Sequence, residues 1–145
     1  DTTNVNSFTG IQQQGCPTCS KGKSEKVMVE IIEELYGKNA GYKGKHSFLK
    51  NITGFNLELD YFIECELLAF EYNGRQHYEY IPTHFHRNGY IDFIEQQERD
   101  KLKHKLCEEN GITIISIDGR EYDHTDRYAM KSHIIEQLDK HYGID

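Results

Sequence analysis

Two acidic residues in neighbouring β-like segments have the types and spacing of a metal site. In the segment LLAFEYNG, strand alternation puts Glu71 and Asn73 on one face, ~7 Å apart. In the preceding segment, LELDYFI, Asp60 lies on the face opposite the apolar residues. Those apolar residues are Leu57, Leu59, Tyr61 and Ile63. A tight hairpin sets Asp60 beside Glu71, and two such carboxylates repel unless a cation or a proton lies between them. The pattern predicts a hard divalent cation, Mg²⁺ or Mn²⁺, with oxygen ligands.

The hairpin alone also fits a simpler interpretation, in which Asp60 and Glu71 point into water from an exposed sheet face. The residues that follow favour the metal site, because they read EYNGRQHY. This string resembles the core of the very-short-patch-repair endonuclease-like branch of the PD-(D/E)XK nuclease superfamily. That branch includes repair nickases, some homing endonucleases, and many phage and large-virus proteins. The similarity extends to LELDYFI, SEKVMVEIIEEL and QQERDKLKHKLCEENGITIISI, and covers roughly residues 15–118.

The resemblance implies a fold, an activity and a set of site residues. The fold is restriction-endonuclease-like α/β, a mixed β-sheet flanked by helices, and the activity is Mg²⁺- or Mn²⁺-dependent hydrolysis of DNA phosphodiester bonds. Asp60 and Glu71 would be the metal ligands, helped by the main-chain carbonyl of Tyr72. The acid of the family's first helix falls on Glu25, whose spacing to apolar residues three, four and seven positions later independently predicts an inward face. The alternative for Glu25 is a favourable interaction with the helix dipole.

One position departs from the family pattern. The usual motif ends in a lysine two residues after the Glu, and this chain has Asn73 there. A lysine would position or activate the attacking water and stabilise charge, whereas an asparagine orients water but supplies no charge. Gln76 and His77 recur in the family string and are the candidates for this role. Histidine exchanges protons near neutral pH, so His77 could take the proton of the water; the alternative is a structural histidine that caps the strand.

A highly charged helix over residues 90–110 has a polar gap in its apolar stripe. Between Ile94 and Leu102 the inward positions hold Gln97 and Glu98, which predicts that the helix approaches a site. The family often carries an RD…K pattern in this helix, and residues 99–103 match it. The candidates for nucleic-acid contact are Arg75, Gln97, Arg99 and Lys103. Surface salt bridging along the helix is the alternative.

Cys16 and Cys19 form a CxxC that resembles half of a zinc ribbon. A structural zinc needs four ligands, and no Cys or His precedes Cys16 in this chain. Further ligands would have to come from His84, His86, Cys65 or Cys107. We therefore expect no complete Zn²⁺ site in this chain. Residues 1–23 are predicted to be an N-terminal tail with a remnant of a zinc-ribbon module, and residues 24–145 a nuclease-like domain.

The elements that must position these residues follow the order α-β-β-β-α-β-α. Ser24 is the predicted N-cap of a first helix that runs to about Tyr36 and ends at Gly37. A Gly- and Lys-rich loop follows. The ITIISI run predicts a strand buried on both faces. The remaining predicted elements are a strand over residues 46–49, a hairpin over residues 57–63 and 67–73, a helix over residues 90–110, a strand over residues 112–117, and a helix over residues 125–142.

Composition limits the class of protein. A chain of 145 residues fits one domain with its own core, and no apolar run approaches the ~20 residues of a membrane span. The net charge of −7 argues against a passive DNA-coating protein, but the carboxylates of a nuclease count as negative until a metal binds. Four unevenly placed cysteines argue against a disulfide scaffold and for an intracellular location, cytoplasmic or nuclear.

The predicted partner is DNA. RNA is an alternative substrate, because no feature of the sequence indicates a contact that would distinguish RNA by its 2′-OH. A homodimer or an upstream DNA-binding module would decide between nicking and double-strand cutting. The role in repair, homing, restriction or viral replication is also open. Two rival functions remain. One is a nuclease-fold module that binds nucleic acid but lost its activity with its lysine, and the other is a zinc-ribbon interaction module centred on the CxxC.

Overall fold

A computed structural model describes the backbone of residues 17–44 and 57–143, with side chains from residue 22 onward. Its centre is a four-stranded mixed sheet in the order β1-β2-β3-β4. The strands are β1 (Tyr42–Gly44), β2 (Leu59–Ile63), β3 (Leu68–Asn73) and β4 (Thr113–Asp118). The first three strands pair antiparallel, and β4 runs parallel to β3. A helix lies between β3 and β4 in the chain, as the crossover between parallel neighbours requires.

Three helices cover the two faces of this sheet. They are α1 (Pro17–Tyr36), α2 (Tyr90–Glu109) and α3 (Arg127–Tyr142). On one face, Phe70 of β3 belongs to a core cluster with Met28 of α1 and Ile134 of α3. On the other face, Ala69 belongs to a second cluster with Cys107 of α2. The protein is therefore a mixed α/β fold in three layers. In the described part of the chain, no helix is both long and apolar enough to cross a membrane.

The order of elements in the described residues matches the predicted order, but the predicted start of the first helix is wrong and a strand lies in the predicted loop. α1 begins at Pro17, so Ser24 is not its N-cap. Ser24 is buried inside the helix, and its Oγ accepts a hydrogen bond from the main-chain N–H of His124 at 3.0 Å. The small hydroxyl that suggested a cap instead ties α1 to the segment before α3. The first strand, β1, lies in the predicted loop, whereas the strand predicted over residues 46–49 falls outside the described residues.

Strand β4 is not buried on both faces, contrary to the prediction. Thr113 is exposed, whereas Ile115 and Ile117 are buried and the other residues are half-buried. The reason is position, because β4 is the last strand of the sheet. The apolar run therefore predicted the strand correctly but not its burial, since an isoleucine-rich run also suits an edge strand with one fully covered face.

The predicted faces of β2 are correct only in part. Tyr61 and Ile63 point towards α1 and α3 as expected. Leu57 and Leu59, predicted to share that face, belong with Phe62 to the cluster beside α2. The ladder between β1 and β2 is irregular at this point. An irregularity of this kind interrupts the two-residue alternation, so side chains on either side of it change face.

Gly41 allows β1 to approach β2 closely. A Cβ at this position would lie 2.5 Å from the carbonyl oxygen of Phe62 and 2.7 Å from the ring of Tyr61. We expect Gly41→Ala to lower the free energy of unfolding by about 1–3 kcal/mol, because main-chain atoms must move apart. Gly22 in α1 is the control, since a Cβ there meets nothing within 4 Å. Gly22→Ala should raise stability by about 1 kcal/mol. Urea unfolding followed by circular dichroism measures both, and effects of the same sign would contradict the expectation.

Candidate metal centre

The two predicted metal ligands lie side by side on the central hairpin. β2 and β3 pair with Tyr61 opposite Phe70, and the same register continued puts Asp60 opposite Glu71. The Asp60 main-chain N–H donates to Glu71 Oε2 at 2.6 Å, and the Tyr72 N–H donates to Asp60 Oδ2 at 2.8 Å. Asp60 is 8% exposed and Glu71 is 5% exposed. The interpretation in which both carboxylates point into water from an exposed face is therefore wrong.

A lysine from α2 contacts the carboxylate pair. Lys103 Nζ lies 2.7 Å from Glu71 Oε1, and the two side chains are 14% and 6% exposed. A buried carboxylate without a partner is strongly disfavoured, and the Lys103 ammonium is the partner of the Glu71 carboxylate. The sequence had predicted a phosphate contact for Lys103, and the structure puts its ammonium group at the predicted metal ligand.

One cavity of about 190 Å³ lies between the hairpin and α2. Among the predicted site residues, it brings together Asp60, Glu71, Tyr72, Gln76, His77, Arg99 and Lys103. The sequence assigned no role to four further lining residues, which are Leu57, Glu58, Gln96 and Asp100. The cavity therefore combines acids, bases and amides from elements that lie far apart in the chain.

A histidine and an aspartate form a second pair in this cavity. His77 Nδ1 lies 2.7 Å from Asp100 Oδ2, and the His77 side chain is 9% exposed. An ionised carboxylate only accepts hydrogen bonds, so Nδ1 carries the proton and Nε2 is the basic nitrogen. The structural alternative, a histidine that only caps the strand end, does not account for this contact with α2. Asp100 belongs to the family's RD…K pattern, but sequence reasoning assigned it no role at the site.

The turn after β3 brings His77 and Gln76 to the cavity. The strand ends at Asn73 and a 3-10 turn, Arg75–His77, follows, so the alternation stops at Gly74. A Cβ on Gly74 would lie 2.6 Å from Gln76 Oε1. The absence of a side chain at this position therefore leaves room for the buried amide of Gln76.

The face of α2 that meets the cavity differs from the predicted one. Gln96, Arg99, Asp100 and Lys103 line the cavity, at the i, i+3, i+4 and i+7 spacing of one helix face. Gln97 does not line it, and Glu98 is exposed. The prediction took Ile94 as part of the inward stripe, but Ile94 is 36% exposed. Counting from the buried Phe93 would have found the correct face.

Two predicted site residues at the end of β3 and in the turn after it also do not line the cavity. Asn73 ends β3 outside the cavity lining, and burial raises the pKa of Tyr78 in the turn that follows. The Arg75 side chain is 58% exposed and pairs with Glu79 at 2.9 Å. Asn73 therefore does not take the position expected of the family's lysine, and Arg75 lies in the turn outside the carboxylate pair.

Glu25 lies on the inward face of α1, as its spacing predicted, and pairs with a lysine. Its Oε2 is 2.7 Å from Lys43 Nζ of β1, and the Glu25 side chain is 16% exposed. The hydrogen bond to Glu25 raises the pKa of Lys43, and the charges of Asp60 and Glu58 add to the rise. Glu25 does not line the cavity, and its ion-pair partner is Lys43 rather than a group of the cavity.

The cysteines show no zinc site in the described part of the chain. Cys16 falls outside the described residues, and of Cys19 only the backbone position in α1 is described. Cys65 is exposed in the hairpin turn, and Cys107 is buried under the sheet. Within residues 17–44 and 57–143, no group of three or more His, Cys, Asp or Glu side chains could hold a metal ion. A zinc site at Cys16 and Cys19 therefore stays a prediction, and the described residues offer no second pair of zinc ligands for it.

The reactivity of the Cys107 thiol depends on burial and on the charge of Glu71. Burial raises the pKa of its thiol to about 11, and the negative charge of Glu71 adds to the rise. Alkylation requires the thiolate, so at pH 8 we expect iodoacetamide to modify the exposed Cys65 at least about a hundred times faster than Cys107. Mass spectrometry of the tryptic peptides measures both rates. Comparable rates in the native protein would contradict this arrangement.

The donor set suits one class of metal. Two carboxylates, Asp60 and Glu71, lie at the cavity together with Tyr72, which carries the predicted carbonyl ligand. Mg²⁺ usually keeps several waters and takes only one or two protein carboxylates, so the predicted Mg²⁺ or Mn²⁺ would need water for most of its ligands here. A structural Zn²⁺ would need four protein ligands of the Cys and His type, which this cavity does not offer.

The chain is similar to three uncharacterized viral proteins. It is 44% identical over 110 residues to protein 307L of invertebrate iridescent virus 6, a match that covers 72% of this chain and 55% of that protein. It is 39% identical over 109 residues to protein 094L of Frog virus 3 (isolate Goorha), covering 74% and 66%. It is 46% identical over 76 residues to protein 033L of invertebrate iridescent virus 3, covering 52% and 38%. No family model and no solved structure matches the chain.

Proposed function

We propose that this chain is a metal-dependent endonuclease domain of the PD-(D/E)XK type that hydrolyses DNA phosphodiester bonds. The observation that carries the proposal is the buried pair of Asp60 and Glu71 in one cavity with a histidine and two basic side chains. The mixed sheet between α1 and α3 on one face and α2 on the other supports the restriction-endonuclease-like fold. The chain spans between 38% and 66% of the length of the curated relatives it matches, so the proposal concerns this segment.

In this proposal, Asp60, Glu71 and the carbonyl of Tyr72 hold Mg²⁺ or Mn²⁺. The bound ion supplies a more acidic water and a positive charge beside the phosphate. The protein contributes the position of the ligands. Each carboxylate already accepts a main-chain N–H from the neighbouring strand, so neither needs to reorient before it binds. Such preorganisation lowers the cost of assembling the site.

His77 acts as the general base. Its Nδ1 is held by Asp100, which leaves Nε2 to accept the proton of the attacking water. Asp100 is a positioning residue, because it orients the imidazole and stabilises the imidazolium that forms. Gln76 is buried beside the cavity and orients the water or the phosphate through its amide.

Lys103 and Arg99 provide the positive charge that Asn73 does not. Both side chains line the cavity from α2, and Lys103 lies at the carboxylates themselves. Charge on the phosphate increases in the transition state of hydrolysis, so a nearby cation stabilises that state more than the substrate. We assign Arg99 to a phosphate next to the cleaved bond.

The test is cleavage by the purified protein. Supercoiled plasmid, linear duplex, single-stranded DNA and RNA are incubated with Mg²⁺, Mn²⁺ or EDTA. We expect cutting of DNA with Mg²⁺ or Mn²⁺ and none with EDTA. The plasmid distinguishes nicked from linear product, and a dependence on protein concentration would indicate a homodimer. Absence of metal-dependent cutting of every substrate would overturn the catalytic proposal.

The second candidate is a nuclease-fold module that binds nucleic acid without cleaving it. The Lys103–Glu71 pair favours this candidate, because it neutralises Glu71 without a metal. Such a module would bind DNA equally with and without Mg²⁺, and Glu71→Gln would leave that binding unchanged. A gel-shift titration in Mg²⁺ and in EDTA separates the two candidates.

A further inference from the structure

Lys103 is the counter-ion of the Glu71 carboxylate. Its ammonium lies 2.7 Å from Glu71 Oε1, while the Asp60 main-chain N–H takes Oε2 at 2.6 Å. Both oxygens of Glu71 thus already have hydrogen-bond donors. The Lys103 side chain is 14% exposed, so little water screens its charge from the carboxylate.

We propose that Lys103 exchanges partners during binding: it leaves Glu71 when a divalent cation binds, and it then contacts a phosphate group of the substrate. This inference rests on the proposed function and adds a coupling between metal binding and substrate binding. It makes Lys103 a competitor of the metal in the free protein and a ligand of nucleic acid in the metal-bound protein.

The physical reason is repulsion between two cations at one carboxylate. A divalent ion on Glu71 and an ammonium group at hydrogen-bond distance from the same side chain are a few Å apart, and the surroundings are buried. Lysine has a flexible four-carbon stem, so its head group can move without a change in α2. Glu58 and Asp100 also line the cavity, and they offer acidic contacts during the move.

The exchange predicts that removal of the lysine tightens metal binding. Without Lys103, two buried carboxylates face the cavity with one compensating charge fewer, and no cation has to be displaced. We expect Lys103→Met to lower the dissociation constant for Mn²⁺ by at least about tenfold, a factor typical of one nearby charge. Lys103→Gln should shift it in the same direction. Lys101→Met is the matched control, since Lys101 is on the same helix with a side chain 78% exposed.

Isothermal titration calorimetry with Mn²⁺ on the full chain measures these constants, and circular dichroism shows that each variant folds. Equal or weaker Mn²⁺ binding by both Lys103 variants, with normal binding by the wild type, overturns the exchange but leaves the proposed function standing. Absence of Mn²⁺ binding by the wild type, or unchanged binding after Glu71→Gln, overturns the proposed function and the exchange with it.

Binding of a short DNA duplex gives the second readout. Each phosphate contact contributes about 0.9 to the slope of log K against log salt. In Ca²⁺, which takes the same kind of oxygen ligands, we expect the slope of Lys103→Met to be smaller than that of the wild type by about this amount. In EDTA the slopes should coincide, because Glu71 then holds the lysine. Equal slopes in Ca²⁺ would overturn the proposed phosphate contact.

Discussion

Glu71→Gln and Asp60→Asn are each expected to reduce metal-dependent cleavage by at least about 10³-fold. Both substitutions keep the shape of the side chain and remove its charge. An amide is a much weaker ligand than a carboxylate for a hard divalent ion, so the loss should affect the chemical step and not only substrate binding. Single-turnover cleavage with saturating Mg²⁺ measures it.

Stability has to be measured beside activity, because Glu71→Gln leaves the ammonium of Lys103 without its carboxylate. Breaking a buried pair costs about 3–5 kcal/mol, and less where one partner keeps contact with water. The double variant Glu71→Gln/Lys103→Gln removes both charges and should recover most of the lost stability, but not the activity. Glu79→Gln is the control, since the Glu79 side chain is 41% exposed and pairs with the exposed Arg75. If Glu71→Gln or Asp60→Asn cleaves DNA about as fast as Glu79→Gln, these two carboxylates are not the metal ligands.

His77→Ala should lower the cleavage rate by about 10²–10⁴-fold, the usual contribution of a positioned general base. Asp100→Asn should have a smaller effect, because it leaves the imidazole in place but weakens its orientation. The double variant should be no slower than His77→Ala alone, since Asp100 acts through the histidine.

Chemical rescue separates a base from a structural histidine. If His77 is the base, a small base in solution can take over the proton transfer in His77→Ala. Imidazole added to the solution should restore part of the rate. His84→Ala, at an exposed position outside the cavity, is the control. Absence of rescue of His77→Ala by imidazole, or additive effects of the two substitutions, would show that the pair supports the fold only.

The hairpin and its acids could be predicted because the relevant information is local. Strand alternation, a short turn and the EYNGRQHY string lie within a few residues of one another, and the structure brings the three residues that they singled out, Asp60, Glu71 and His77, to one cavity. The face of α2 was harder, because a helix that lines a polar cavity has polar residues where an apolar stripe would otherwise mark its inward side. Phe93 and Cys107, its buried residues, lie at opposite ends.

Contacts between distant segments could not be predicted from one sequence. Lys103 and Glu71 are separated by 32 positions, and Ser24 and His124 by 100. Neither pair leaves a periodic signal, because each depends on how the helices dock on the sheet. The same reason explains β1, a strand of three residues whose place is set by close approach at Gly41 and not by its own composition.

The hydrogen bonds from the main chain of Asp60 and Tyr72 have a further consequence for how this hairpin can change. Because of these bonds, the metal site depends on the register between β2 and β3. A shift of β3 by one residue would turn Glu71 towards the layer of α1 and α3, and both main-chain amides would lose their acceptors. Length changes at the Glu64–Glu66 turn that preserve the alignment should therefore be tolerated. A one-residue deletion between Asp60 and Ile63 should abolish cleavage even where the protein still folds.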